Sequence, residues 1–202
     1  MSILSPIKLY IYFLILIPIA ILLIQQLSYH QTLNALIPAP GSLPLLNDTS
    51  VTLSDPSLKI EIFATGLKNP TNMAFLDSGD ALVLEKANGT VKRIVNGTVI
   101  HDALLDVNVA TYDTRGMLGI AYAKNETAKK QYIFLYYTEA RDGKADGEDK
   151  CYSPSKCIPG YQPNGNRLYR YELSDNGSKL INQKLIFSWP QLKRADHNGG
   201  EL

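Results

Sequence analysis

The end of the chain, residues 193–202, holds the side chains with the clearest chemistry. Asp196 and His197 are adjacent, and Asn198 and the pair Gly199-Gly200 follow them. Imidazole titrates near neutral pH, so His197 suits a general base, and a neighbouring carboxylate can fix its tautomer and stabilise the imidazolium. A Gly pair lets the backbone approach another group closely. The spacing therefore predicts a base, although the same residues also suit a polar loop with a solvated His.

The two cysteines, Cys151 and Cys157, lie six residues apart across Tyr-Ser-Pro-Ser-Lys. No His lies close to them in the sequence, so they make a poor zinc site. The short separation allows a disulfide that closes a small loop, and such bonds persist in oxidising compartments. We predict a Cys151–Cys157 bridge.

The N-terminus is strongly apolar: every residue from 9 to 24 is apolar, Tyr or Pro. The run is slightly shorter than the ~20 residues that span a bilayer, and residues 25–27 could extend it. No Ala-x-Ala cleavage pattern follows, so residues 1–27 favour an uncleaved transmembrane helix over a cleaved signal segment. Lys8 precedes the run, and the positive-inside tendency then predicts a membrane-anchored protein with its bulk outside the cell.

Five Asn-x-Ser/Thr sequons agree with an extracellular location, because this pattern is the acceptor for N-glycosylation. None has Pro in the middle, and the predicted glycosylation sites are Asn47, Asn88, Asn96, Asn125 and Asn176. Asn-Gly-Thr also forms good turns, which is the alternative reading of several of them.

The charge balance, 20 Lys+Arg against 19 Asp+Glu, shows no basic footprint for nucleic acid. An acidic run lacks EF-hand spacing, and we interpret it as a solvated insertion; it comprises Asp142, Asp146, Glu148 and Asp149. Arg115 could face an anion at the site, but we interpret it as a solvated loop charge. No metal site is therefore predicted in this chain.

Residues 28–57 are rich in Pro and polar residues without a sustained period, which predicts a semi-extended linker. From residue 58 onwards, short segments alternate between polar and apolar residues, as half-buried strands do. Asn88-Gly89 and Asn96-Gly97 are hairpin signals. The predicted strands are 59–63, 73–76, 81–85, 90–95, 98–100, 116–122, 131–137, 166–173 and 180–187.

This rhythm predicts an all-β fold in which four-stranded meanders repeat, as in the blades of a β-propeller. About two blades fit into residues 58–202. Two blades alone would leave unpaired flanks, so we expect this domain to be a partial propeller, truncated at its C-terminus.

Several segments, in this order, resemble the quinoprotein glucose/sorbosone or aldose sugar dehydrogenases, which are six-bladed β-propellers. The most distinctive are Arg-Gly-Met-Leu-Gly-Ile-Ala at 115–121 and Asp-His-Asn-Gly-Gly at 196–200. The others are 63–76, 82–86, 89–94, 134–138 and 166–171. The resemblance extends from about residue 58 to the end of the chain.

The resemblance implies oxidation of a sugar at its anomeric carbon, with hydride transfer to pyrroloquinoline quinone (PQQ). His197 then takes the proton of the anomeric hydroxyl, and Asp196 orients the site. Calcium polarises the quinone in the family. The residues that hold PQQ and calcium lie in later blades and are absent from these 202 residues. An external electron acceptor, not identifiable from the sequence, must reoxidise the quinone.

Thr114 departs from the family, which usually has Gln or Glu at this position to reach the substrate. We assign Thr114 to substrate binding by position, with Asp113 as the alternative one residue earlier. The shorter side chain slightly favours a second hypothesis, a non-catalytic extracellular propeller that binds a protein or a glycan. A third hypothesis is a degenerate remnant that ends at Leu202. The first hypothesis, implied by the resemblance, is the N-terminal part of a membrane-anchored, extracellular PQQ-dependent sugar dehydrogenase. Quinone-binding cations and calcium ligands downstream would distinguish it from the other two.

Overall fold

A computed structural model describes residues 53–189, 194–200 and 202 of the chain. All of these residues belong to one compact unit, Leu45–Leu202. The predicted transmembrane helix at 1–27 and most of the predicted linker at 28–57 lie outside the described residues. Within the described residues, no helix has the length and apolar character needed to cross a membrane.

The described residues form antiparallel strands, which confirms the all-β prediction. The strands are β1 (Pro70–Asp77), β2 (Asp80–Glu85), β3 (Thr90–Val95), β4 (Thr98–Val99), β5 (Leu105–Asp106), β6 (Met117–Asn125), β7 (Lys130–Glu139), β8 (Cys151–Ser153), β9 (Lys156–Cys157), β10 (Gly165–Leu173) and β11 (Leu180–Ser188).

Two of the sheets are meanders. The first has the order β1-β2-β3-β4, with β5 also pairing to β3, and the second has the order β6-β7-β10-β11. Asn96 and Gly97 both adopt positive φ, 48° and 80°, in the tight turn between β3 and β4. The hairpin predicted from Asn-Gly is confirmed there, because these residues tolerate the left-handed backbone that such a turn needs.

The two meanders meet through their first strands, β1 and β6. The Thr71 hydroxyl donates to the carbonyl of Met117 at 2.9 Å. The Asn72 side-chain amide donates to the carbonyl of Leu118 at 3.4 Å. The Met117 N–H donates to the carbonyl of Lys86 at 3.0 Å. These contacts place β1 beside β6, while β4 and β11 lie at the outer edges of their sheets.

Apolar side chains from both meanders form one core. Alternation along β7 and β10 directs one face of each strand inward, as the period of two requires, whereas β2 is buried on both faces. The fully buried members include Leu82, Leu84, Val91, Met117, Ile133, Leu135 and Tyr137.

The strand predicted at 59–63 is wrong. These residues alternate as expected, but they form no strand, and Ile60 and Phe63 are 44% and 46% exposed. Alternation alone does not make a strand, because a strand also needs a neighbouring edge for its backbone hydrogen bonds. Within the part of the chain described, that segment pairs with none.

The connections that matter for function leave the second meander at one end. Met117 is opposite Tyr137, and Gly165 is opposite Glu139. The start of β6, the end of β7, the start of β10 and the end of β11 therefore lie at the same end of the sheet. The loop before β6, the long connection between β7 and β10, and the residues after β11 all begin there.

Leu82 is fully buried in the core, and this burial predicts how much stability is lost when its side chain is truncated. Leu82→Ala should lower the free energy of unfolding by about 2–5 kcal/mol, through lost burial and a residual cavity. Leu58→Ala is the matched control, because Leu58 is 62% exposed. It should change stability by less than about 0.5 kcal/mol. Urea denaturation measures both, and equal effects would contradict this description of the core.

Candidate active site

Residues 194–200, the segment that contains Asp196 and His197, lie beside strand β6. A Cβ atom added to Gly119 of β6 would overlap the carbonyl oxygen of Gly200. Gly200 itself has φ of 142°, and a Cβ there would lie 2.8 Å from the Cβ of Leu118. The close approach predicted for the Gly pair is therefore an approach to the backbone of β6.

His197 is exposed, and its φ of 57° lies in the left-handed region. This conformation is unfavourable for a residue with a side chain and costs on the order of 1 kcal/mol, so the surrounding structure must impose it. Such outliers concentrate at functional sites. The constraint comes from the neighbours of the Asp196-His197 pair, Ala195 on one side and Asn198 on the other.

Ala195 is completely buried and makes hydrogen bonds in two directions. Its N–H donates to the carbonyl of Pro154 at 2.7 Å. Its carbonyl accepts from the Thr114 hydroxyl at 2.9 Å and from the Asn198 side-chain amide at 2.6 Å. The residue before the Asp-His pair is therefore held by the long β7–β10 connection and by the loop before β6.

Asn198 is 3% exposed and holds the other end of the pair. Its side-chain amide donates to the Thr114 hydroxyl oxygen at 2.9 Å, and its carbonyl accepts from the Tyr136 hydroxyl at 2.6 Å. The Asn166 amide donates to Asn198 Oδ1 at 3.3 Å. Asp196 and His197 thus project from a short loop that is fixed on both sides.

Thr114 contacts the residues on both sides of the Asp196-His197 pair. Its hydroxyl donates to the Ala195 carbonyl and accepts from the N–H and side-chain amide of Asn198. These contacts give the hydroxyl a role in holding the loop, and its assignment to substrate binding stays a prediction. Asp113, the alternative, is exposed with φ of 58°, and its carbonyl accepts from the Lys86 ammonium at 2.6 Å.

Asp196 pairs with Arg194 through a two-point interaction. Arg194 Nε donates to Oδ1 at 2.9 Å, and Nη2 donates to Oδ2 at 2.6 Å. These hydrogen bonds, with the charges of Arg194 and His197, lower the pKa of Asp196 to about 2. At neutral pH the carboxylate is therefore ionised next to His197.

Arg115 is completely buried, so its interpretation as a solvated loop charge is wrong. Its Nη1 donates to Asp149 Oδ2 at 2.8 Å, and its Nη2 donates to the carbonyl of Arg194 at 3.0 Å. A guanidinium is buried only where carboxylates and carbonyls satisfy its donors. These acceptors come from parts of the chain distant in sequence, which the residues around Arg115 do not indicate.

The acidic run is only partly a solvated insertion, which corrects our interpretation of it. Asp149 accepts from the N–H groups of Thr111 and Tyr112 as well as from Arg115, and Asp146 accepts from the N–H of Val109 at 2.7 Å. Burial outweighs that hydrogen bond and raises the pKa of Asp146. Two carboxylates of the run therefore order the loop before β6. The signal that sequence reasoning missed was the position of Asp149, two residues before the predicted disulfide.

The predicted Cys151–Cys157 disulfide is present and joins β8 to β9 in a small hairpin. Pro154, at the tip of this hairpin, is the residue that accepts from Ala195. The sulfur atoms also face Arg115: Sγ of Cys157 lies 3.4 Å from Nη2. The bridge thus helps to hold residues 194–200, which we call the Asp-His loop.

Three of the predicted glycosylation sites, Asn88, Asn96 and Asn176, lie in turns, and Asn125 is the last residue of β6. Asn96, Asn125 and Asn176 are exposed, Asn88 is half-buried, and Asn47 lies outside the described residues. The Asn176 side chain already accepts from Ser174 and Ser178, which shapes its own turn. Modification of these residues stays a prediction.

A scan of protein families matches residues 67–202 to the family described as Glucose / Sorbosone dehydrogenase. The chain belongs to this family. The matched region contains every residue of the Asp-His loop and of its support. A search of curated proteins found no match.

Solved structures of similar proteins include two glucose dehydrogenases, 19% and 21% identical over 61% of this chain, with TM-scores of 0.45 and 0.44. A third is the PQQ-bound form of the aldose sugar dehydrogenase of Streptomyces coelicolor, 24% identical over 64% of this chain, with a TM-score of 0.46. This chain covers 30%, 33% and 33% of the lengths of those proteins.

The described residues do not fit PQQ and calcium as a complete site. Among them, no group of three or more His, Cys, Asp or Glu side chains is placed to hold a metal ion. The two guanidinium groups at the loop are engaged with carboxylates, Arg115 with Asp149 and Arg194 with Asp196. Within the described residues, neither of these two guanidinium groups is left for the carboxylates of a quinone.

The pairing of Asp196 with Arg194 predicts a change in titration. Arg194→Gln should raise the pKa of Asp196 from about 2 towards its ordinary value, because the two charged hydrogen bonds are lost. The depressed pKa contributes stability above pH ~4 that is lost as the pH falls through ~2. The stability difference between the two proteins should therefore disappear in strong acid. Carboxyl carbon NMR measures the titration, and Asp102, which pairs with His101, is the internal control that should not shift.

The small loop closed by the disulfide predicts a measurable stabilisation. The double variant Cys151→Ser/Cys157→Ser should lose about 2 kcal/mol of unfolding free energy, because the unfolded chain is no longer constrained. Denaturation with and without reducing agent tests this. The reductant should destabilise the parent and leave the double variant unchanged; an effect on both would place the sensitivity elsewhere.

Proposed function

We propose that this chain is the N-terminal part of a membrane-anchored, extracellular, PQQ-dependent sugar dehydrogenase that oxidises an aldose at its anomeric carbon. The observation that carries the proposal is the presentation of His197. The imidazole is exposed, and the backbone of His197 is left-handed. The buried, hydrogen-bonded residues Ala195 and Asn198 flank the Asp196-His197 pair, inside the region matched to the glucose/sorbosone dehydrogenase family.

The proposed reaction needs a base for the proton and an acceptor for the hydride. Oxidation of a hemiacetal removes the proton of the anomeric hydroxyl and a hydride from the anomeric carbon. In the proposed reaction His197 takes the proton at an imidazole nitrogen, and the ionised Asp196 stabilises the positive charge that forms. PQQ, the oxidant that the family implies, would be held with calcium by residues outside this chain, and an external acceptor would reoxidise it.

The two meanders are proposed to be the first two blades of a six-bladed propeller. Their first strands lie side by side, as inner strands around a central channel do, and His197 lies at the end where β6 begins. Large apolar side chains remain exposed on both flanks, including Phe75 of β1 and Leu185 and Phe187 of β11. Such surfaces suit further blades on either side.

The location outside the cell rests on independent features. The disulfide is stable in an oxidising compartment. The exposed Asn residues of the sequons, Asn96, Asn125 and Asn176, are accessible to a glycosyltransferase. The apolar residues 1–27 would anchor the protein, and residues 28–57 would hold the domain away from the membrane.

A second candidate is a non-catalytic propeller that binds a protein or a glycan. The contacts of Thr114 favour it: the hydroxyl at the position proposed for substrate binding already serves the loop. A binding protein would need the loop geometry without turnover.

The test uses the ectodomain of the full native product, supplied with PQQ and calcium, and follows reduction of a redox dye with a panel of aldoses. His197→Ala should lower kcat/KM by about 10²–10⁴-fold, the usual contribution of a general base. His101→Ala is the matched control, since the His101 side chain is fully exposed in another loop. Its activity should equal that of the parent.

Two results would contradict the proposal. If the parent shows no turnover and no quinone binding by absorbance, the protein is a binding propeller. If turnover persists at the parental rate in His197→Ala, the base is another residue.

A further inference from the structure

Resting on the proposed role of His197, we propose that Arg115 is a positioning residue for the general base. One buried guanidinium connects the disulfide hairpin to the loop that presents His197, and so sets where the imidazole stands. Arg115 does not reach His197 itself, and it acts through the backbone of Arg194.

The first step of the argument is the set of contacts made by this side chain. Arg115 is completely buried, and its donors face Asp149 Oδ2 at 2.8 Å and the Arg194 carbonyl at 3.0 Å. Its Nη1 and Nη2 lie 3.8 and 3.4 Å from the sulfur atoms of Cys151 and Cys157. A planar guanidinium offers donors in fixed directions, so these partners cannot move independently of it.

The second step is the short path from these contacts to the base. Arg194 is followed by Ala195, whose N–H is bound to Pro154 at the tip of the same disulfide hairpin. The hairpin therefore contacts the start of the loop twice, directly through Pro154 and indirectly through Arg115. His197 is three residues beyond the carbonyl that Arg115 holds.

The third step is that residues outside the disulfide hairpin fix the other end of the loop. Asn198 is held by Thr114, Tyr136 and Asn166, and none of these contacts involves the disulfide hairpin. With both ends fixed, the two residues between them have little freedom, and His197 takes its left-handed φ of 57°. Releasing one end should let that conformation relax and move the imidazole.

The chain contains a matched control for Arg115. Arg93 also binds one carboxylate and one distant carbonyl: its Nε and Nη2 donate to Asp80 at 2.9 and 2.6 Å, and its Nη1 donates to the Gly177 carbonyl at 2.7 Å. It connects the two meanders through the turn between β10 and β11, and this turn is at the opposite end of the sheet from the Asp-His loop. Arg93→Lys thus removes a similar fork without touching the loop.

The experiment compares the parent, Arg115→Lys and Arg93→Lys in the full native protein loaded with PQQ and calcium. Lys keeps a positive charge for Asp149 but cannot also hold the Arg194 carbonyl. For Arg115→Lys we expect kcat to fall by about 10–100-fold, because small displacements of a base are costly, with quinone affinity unchanged. For Arg93→Lys we expect kcat per folded molecule to stay within about twofold, as for a distant site.

A second readout does not depend on turnover. Hydrogen exchange of the Ala195 and Asn198 amides, followed by mass spectrometry, should be about tenfold faster in Arg115→Lys, because the loop then opens locally. It should be unchanged in Arg93→Lys. If Arg115→Lys does not fold, the double variant Arg115→Met/Asp149→Asn replaces it: it removes both buried charges together and keeps an acceptor for Thr111 and Tyr112.

The outcomes separate this proposal from the proposed function. Unchanged exchange in the loop of the Arg115 variant overturns the positioning role, and so does a loss of stability with kcat per folded molecule intact. If His197→Ala is fully active, the assignment of the base fails, while the exchange data still decide whether Arg115 holds the loop. Slower turnover together with faster exchange, in the Arg115 variant alone, supports the proposal.

Discussion

The buried pair of Arg115 and Asp149 is the interaction on which the rest of the site depends. Their side chains are 0% and 3% exposed, so both charges have lost nearly all contact with water. A buried ion pair is costly unless further hydrogen bonds satisfy both partners. Here Asp149 also accepts from the backbone of Thr111, and Arg115 also donates to the backbone of Arg194. The pair therefore brings three segments together that lie far apart in sequence.

The scaffold and the site use different physics. The two meanders are held by an apolar core and by strand pairing. These interactions position only the end of the sheet from which the loops leave. At that end of the sheet, hydrogen bonds from hydroxyl, amide and guanidinium groups determine the path of residues 194–200. Steric limits contribute as well, since only Gly at 119 and 200 allows that segment to lie against β6. The cost of the left-handed His197 is offset by these surroundings, and the constraint keeps the imidazole exposed.

Membership of the glucose/sorbosone dehydrogenase family and the geometry of the loop support the same proposal from different directions. The family match covers residues 67–202, and the structure shows a presented His within them. The chain spans about a third of the length of the similar solved proteins. The contacts of Thr114 show how one hydroxyl can support the loop at a position where the family was expected to contact substrate.

The sequence by itself determined the features that short-range rules encode. Alternation located most strands, Asn96-Gly97 located a turn, and the spacing of the cysteines located the disulfide, because each depends on neighbouring residues. Only the tertiary structure decided that Arg115 is buried and that residues 59–63 form no strand. Both outcomes depend on partners that no local pattern reveals: the guanidinium needs acceptors 34 and 79 residues away, and a strand needs a free edge beside it.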